Sequence, residues 1–197
     1  MKKFELTTNT KMFLGKKLFQ IKALISFGDV EAGELGGYIE KEENLSQAGD
    51  AWVAGNARVT DDARVTGNAR VTGNARVTDD ARVTGNARVA GDAWVAGNAR
   101  VAGDARVAGN ARVAGNACVS GNACYTTIKG FGREYRTTTF FKCKDGKVRV
   151  RCGCFYGDLK KFRAIVKETH GESKKAKEYL MIADLMELHF EEKENDK

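Results

Sequence analysis

Apolar positions in the middle of this chain recur with a period of six. From Ala51 to Asn122 the sequence runs Ala-Arg-Val-Thr-Gly-Asn and close variants for twelve hexads without an insertion. Two looser hexads precede them, Ile39–Asn44 and Leu45–Asp50, and Ala123-Cys124-Tyr125 begins a failing one. A period of six does not fit the 3.6-residue turn of an α-helix, and glycine every turn or two would weaken one. Each hexad reads instead as a very short strand and a turn. In Ala-Arg-Val the side chains alternate in, out, in. Gly-Asn or Gly-Asp then turns the chain, because these residues tolerate a left-handed backbone. Strands this short bury nothing alone, so they must stack coil upon coil at about 4.8 Å.

The hexad resembles that of left-handed parallel β-helices, which place a small residue four positions after an aliphatic one, as in Val59-Thr60-Asp61-Asp62-Ala63-Arg64. The resemblance implies a three-sided prism with three hexads per coil. Residues 18 apart should then stack. One side would show Trp52, Arg70, Arg88 and Arg106; the second, Arg58, Arg76, Trp94 and Arg112; the third, Arg64, Arg82, Arg100 and Cys118. Trp52 and Trp94 are expected to point outward over neighbouring arginines, as surface packing or as partner anchors. Asp61, Asp62, Asp79 and Asp80 should form one acidic corner, paired with Arg64 and Arg82, the alternative being a cation site.

The flanks read as separate modules, giving 1–38 as an N-terminal β cap, 39–126 as the β-helix and 127–197 as a C-terminal module. A stack of coils has open edges and needs capping. Phe4–Thr7 and Lys11–Ile25, with Gly15 between two apolar strands, suit that task. In the C-terminal module, Asp145-Gly146 signals a two-residue hairpin turn between Arg133–Lys144 and Lys147–Cys154. That turn pairs Lys144 with Lys147, Lys142 with Arg149 and Phe140 with Arg151. One face would carry Phe141, Cys143, Val148, Val150, Cys152 and Cys154. The other would carry Thr138 with Arg136, Phe140, Lys142, Lys144, Lys147, Arg149 and Arg151, a basic candidate binding face. Asp158 and Ser173 read as the N-caps of two helices, from Leu159 to about Thr169 and on to about Phe190.

The lead-in Leu35-Gly36-Gly37-Tyr38-Ile39-Glu40 and the segment Cys152-Gly153-Cys154-Phe155-Tyr156-Gly157 are similar to hexapeptide-repeat proteins of bacteriophages and prophages. Such proteins are often labelled polymer-forming or cytoskeletal-like. The resemblance covers nearly the whole chain and implies architecture more than activity.

Charge sharpens the picture. The formal net charge is +7, yet residues 39–126 carry 10 basic and 10 acidic side chains, whereas residues 127–167 carry 12 and 3. A basic segment suits an acidic protein surface or nucleic acid, contacted through residues 133–151. No apolar run approaches a membrane span, and the opening residues lack the pattern of a signal peptide, so the cytoplasm of a bacterial host is expected. The five cysteines then read as free thiols.

Acyltransferases on this repeat use a prism histidine as general base. Here the only histidines, His170 and His189, lie in the C-terminal helical region, leaving that chemistry no candidate. Cys143, Cys152, Cys154 and His170 lack the usual zinc spacing, so no metal, cofactor or catalytic residue is expected. The reading is mainly β: a β-helix with a β cap, a C-terminal hairpin and two helices. Its expected role is non-catalytic binding by a phage or mobile-element protein, monomeric or dimeric. The target would be a host protein or protein–nucleic acid complex, such as a defence nuclease complex. The alternatives are a structural or self-assembling rod and, remotely, an acyltransferase.

Overall fold

In a computed structural model of the chain, each of the twelve hexads from Ala51 onward contributes one two-residue strand. The structure describes residues 2–121, 124–131, 136–143 and 145–191, with Arg136 as backbone only. The chain forms two compact units, Met1–Asn122 and Ala123–Lys197.

The first unit begins with three strands, β1 (Phe4–Phe13), β2 (Lys16–Ala23) and β3 (Leu35–Ile39), and a 3-10 turn at Glu42–Asn44. Twelve dipeptide strands follow, β4 (Trp52–Val53) to β15 (Cys118–Val119), one in each hexad. They stack in parallel as a three-sided β-solenoid, with the 18-residue register the repeat requires: Trp52 on Arg70 on Arg88 on Arg106, Arg58 on Arg76 on Trp94 on Arg112, and Arg64 on Arg82 on Arg100 on Cys118. The alanine and valine of each of the twelve hexads are fully buried. Between coils, the Arg58 N–H donates to the Ala75 carbonyl (2.9 Å) and the Thr60 N–H to that of Val77 (3.0 Å). Amide side chains at the corners repeat the ladder, Asn68 donating to Asn86 (3.2 Å) and Asn86 to Asp104 (3.0 Å).

The cap is continuous with one side of the solenoid. β1 and β2 form a hairpin through Leu14 and Gly15, both with positive φ. β2 pairs antiparallel with β3, and β3 pairs in parallel with Arg58–Val59. β3 thus gives the first coil on that side a partner and hands its outer edge to an antiparallel hairpin, which offers no template for another solenoid. Below the first coils, buried Lys3 donates to the carbonyls of Gly49 (3.1 Å) and Ala51 (2.9 Å). Burial brings its amine down to about 8. Buried Asn44 donates to the carbonyls of Asp61 (3.0 Å) and Ala63 (2.9 Å) and accepts from the N–H groups of Glu40 and Lys41.

Corner glycines are constrained twice. Gly85 has φ +68°, and a Cβ there would lie 2.9 Å from the nitrogen of Gly103 in the next coil. Gly109 has φ +63° and would meet nothing within 4 Å. Gly85→Ala and Gly109→Ala should therefore share a backbone cost of about 1 kcal/mol, with Gly85→Ala losing more through the clash. Thermal melts of the two variants check this; equal losses would mean the coils can separate at little cost.

The second unit is a four-stranded antiparallel sheet in sequence order, β16 (Tyr125–Phe131), β17 (Arg136–Lys142), β18 (Val148–Cys152) and β19 (Phe155–Asp158). Helices α1 (Leu159–His170) and α2 (Lys174–Phe190) follow. Both N-caps form as their residue types demand: Asp158 accepts from the Lys161 N–H (2.8 Å) and Ser173 from that of Ala176 (3.3 Å). The helices share a core with Phe140 and Val150, centred on Phe162. The outer strands β16 and β19 were not evident from periodicity, because neither alternates cleanly.

Candidate functional site

The expected basic face of the hairpin does not form, because the register differs by one residue. Lys142 pairs with Val148, Phe141 with Arg149, Phe140 with Val150 and Thr139 with Arg151. The Cys143 N–H donates to the Lys147 carbonyl (3.0 Å), the Gly146 N–H to that of Cys143 (3.0 Å), and Gly146 has φ +73°. This is a three-residue loop with glycine at the left-handed position, rather than a two-residue turn. Asp145 secures it, accepting from the Lys147 N–H (3.1 Å) and the Arg149 guanidinium (2.6 Å), which hold its carboxyl below the usual range. A one-residue shift turns every side chain of one strand to the opposite face.

Phe140 accordingly lies fully buried against Phe162, not on a basic surface. Half-buried Lys142 shares its side of the sheet with Val148 and Val150. Half-buried Arg149 and Arg151 lie on the other side with Phe141 and Tyr156, whose rings stack at 6.4 Å. Lys147 is exposed where the chain leaves the loop. Lys144 lies outside the described residues, and Arg136 is placed by its pairing with Phe131 alone.

The cysteines expected on one apolar face are also divided. Cys143 is buried on the Arg149 side of the sheet, Cys152 accepts from the Thr138 hydroxyl (3.2 Å) on the other, and Cys154 is exposed. Among the described residues no cluster of His, Cys, Asp and Glu has the form of a metal site.

The two tryptophans part company. Trp52 is fully buried rather than outward, its ring packed edge-on against Phe27 at 5.5 Å. A Cβ on Gly36 would strike that ring, so glycine is required there. Trp94 is half-buried on the second side, donating to the Thr78 hydroxyl (3.0 Å) with Arg112 over its ring at 5.7 Å.

The cap claims part of two solenoid sides. Phe13 receives the guanidinium groups of Arg58 (4.6 Å) and Arg76 (5.3 Å), and Arg70 pairs with Asp29. Two carboxylates of the acidic corner are held by lysines, one from the cap and one from the first looser hexad. Asp61 accepts from Lys16, and Asp62 from Lys41 (2.7 Å), while of the expected partners Arg64 acts on Asp62 through its charge, without an ion pair. These lysines hold both carboxyls below their usual range. Asp61 and Asp79 occupy left-handed corners that are glycine elsewhere, and each accepts from the next coil's backbone, Asp61 from Asp79 N–H (3.4 Å) and Asp79 from Gly97 N–H (2.8 Å).

The third side remains. Arg64, Arg82 and Arg100 are exposed in unbroken register, one per coil. Among the described residues, no cap carboxylate or ring lies within ion-pair or stacking distance of them. No protein-family model and no curated protein matches the chain in sequence. The fold itself defines the class, a capped parallel β-solenoid joined to an antiparallel sheet with two helices. No helix among the described residues is long and apolar enough to cross a membrane.

Proposed function

We propose that this chain is a non-catalytic binding protein whose solenoid displays arginines to an acidic partner. The observation that carries the reading is the exposed row Arg64, Arg82 and Arg100 on the side the cap leaves open. Stacked coils fix the spacing of these side chains at about 4.8 Å, and each guanidinium can fork onto a carboxylate or phosphate. The similarity of the lead-in and C-terminal segments to phage and prophage proteins supports a mobile-element origin. A host protein or protein–nucleic acid complex in the bacterial cytoplasm is then the target class, with a defence nuclease complex the leading example. The competing role, a self-assembling rod, is weakened by β3 and its hairpin, which occupy one edge of the first coil.

The test is a triple variant, Arg64→Ser, Arg82→Ser and Arg100→Ser, compared with Lys147→Glu on the hairpin loop. Binding to duplex DNA and to polyglutamate is measured across a salt series. Against DNA, losing three phosphate contacts lowers the slope of log affinity on log salt by about 2–3. Against polyglutamate, the triple variant associates more slowly and its salt dependence flattens. A folded triple variant that keeps both interactions refutes the reading.

A further inference from the structure

Helix α2 is apolar on two opposite sides. One side packs Ala176, Tyr179, Ile182, Ala183, Met186 and Phe190 into the core of the second unit. On the other, Met181, Leu185 and Leu188 are 72%, 55% and 67% exposed. Their spacing of four and then three residues makes a straight seam along the helix, the spacing two helices use to pack on each other. Charge supplies the second observation. The first turn carries Lys174, Lys175 and Lys177, with Glu178 beside Lys174, while Asp184 and Glu187 lie in the second half and Glu191 just beyond its end, His189 being the one basic residue of the last turn. That order opposes the helix dipole, which favours acids at the N-terminus and bases at the C-terminus. Asp184 and Glu187 are taken up by Arg163 of α1 (2.8 and 2.6 Å).

We propose that a second copy of this chain covers the seam, with two α2 helices pairing antiparallel about a two-fold axis at Leu185. Leu185 then meets its own counterpart, and Met181 meets Leu188 of the other copy. Lys177 lies about 12 Å from Leu185 along the helix and Glu191 about 9 Å on the other side, at 1.5 Å per residue. An antiparallel pair thus brings the lysines of each helix beside the acidic end of the other and relieves the reversed dipole in both. Parallel pairing would set lysine against lysine and acid against acid. An isologous contact of this kind closes at two copies and does not propagate.

The experiment is sedimentation equilibrium of the full chain over about a hundredfold range of concentration, since a two-helix seam is smaller than a standard permanent interface. The expected result is a weight-average mass rising from 21.5 kDa toward twice that value. Leu185→Glu, at an exposed position, should fold normally by circular dichroism and stay monomeric throughout. Lys177→Glu should weaken the dimer several-fold, and Lys177→Glu with Glu191→Lys should restore it. A wild-type chain monomeric at every concentration overturns the proposal and leaves a foreign helix as the occupant. A dimer that survives Leu185→Glu overturns the surface. A dimer lost in Leu185→Glu but not restored by the charge exchange overturns the antiparallel arrangement.

Discussion

Val77→Asp is expected to unfold the solenoid. Val77 is fully buried and stacks between Val59 and Val95, with Val113 one coil further on. The alanines and valines of its hexad and its neighbours enclose it, and the buried hydroxyls of Thr60 and Thr78 already donate to Asp61 and Asp79, so a carboxylate there meets no cation and no free donor. An unpaired buried charge costs several kcal/mol even after relaxation, comparable with the whole 5–15 kcal/mol stability of a typical domain. The damage spreads because each coil is supported only by the coils next to it. Far-UV circular dichroism and amide exchange read the outcome, with Arg82→Asp at an exposed position as the control that should change little. A Val77→Asp protein with wild-type melting would mean the interior admits water.

Phe162→Ala should produce the second largest effect, in the other unit. Phe162 is buried at the meeting point of three rings, with centroids 5.5 Å from Phe155, 5.8 Å from Tyr179 and 6.1 Å from Phe140. Truncating such a side chain costs about 3–5 kcal/mol through lost transfer energy and the cavity left behind. The helical signal should melt at a clearly lower temperature, while the hydrogen-bond ladder of the solenoid keeps its wild-type exchange protection. Loss of both signals in one transition would show that the two units unfold cooperatively.

The solenoid was legible in the sequence because its determinants are local. A six-residue period fixes strand, turn and facing residue at once, and so the stacking partner of every arginine. Helix caps such as Asp158 and Ser173 are equally local, each satisfied within three residues. What escaped the sequence depended on distant chain. Strand alternation says only that Trp52 faces away from its neighbouring valine; Phe27 and Gly36, which enclose it, arrive from the cap. The acidic corner had arginines nearby in sequence, but Lys16 and Lys41 reach it first. Asp-Gly suits both a two-residue turn and a three-residue loop. The choice falls to Phe140, which in the observed register packs on Phe162, 22 residues later in the chain. The candidate binding face moved for the same reason, from a hairpin whose faces hung on one uncertain residue of register to a solenoid side whose register could not slip.

The ladder that joins each residue to one in the next coil also fixes how such a chain can change its length. A duplication of eighteen residues adds one whole coil, preserves every side's register and leaves the cap untouched. A duplication of six also keeps each alanine and valine inside, but the chain then leaves the prism from the neighbouring side, a third of a revolution away. The number of coils, and the side on which the last one ends, can therefore change in steps by simple tandem copying, with no new core to invent. The length of the solenoid and the side on which it ends are both countable in hexads.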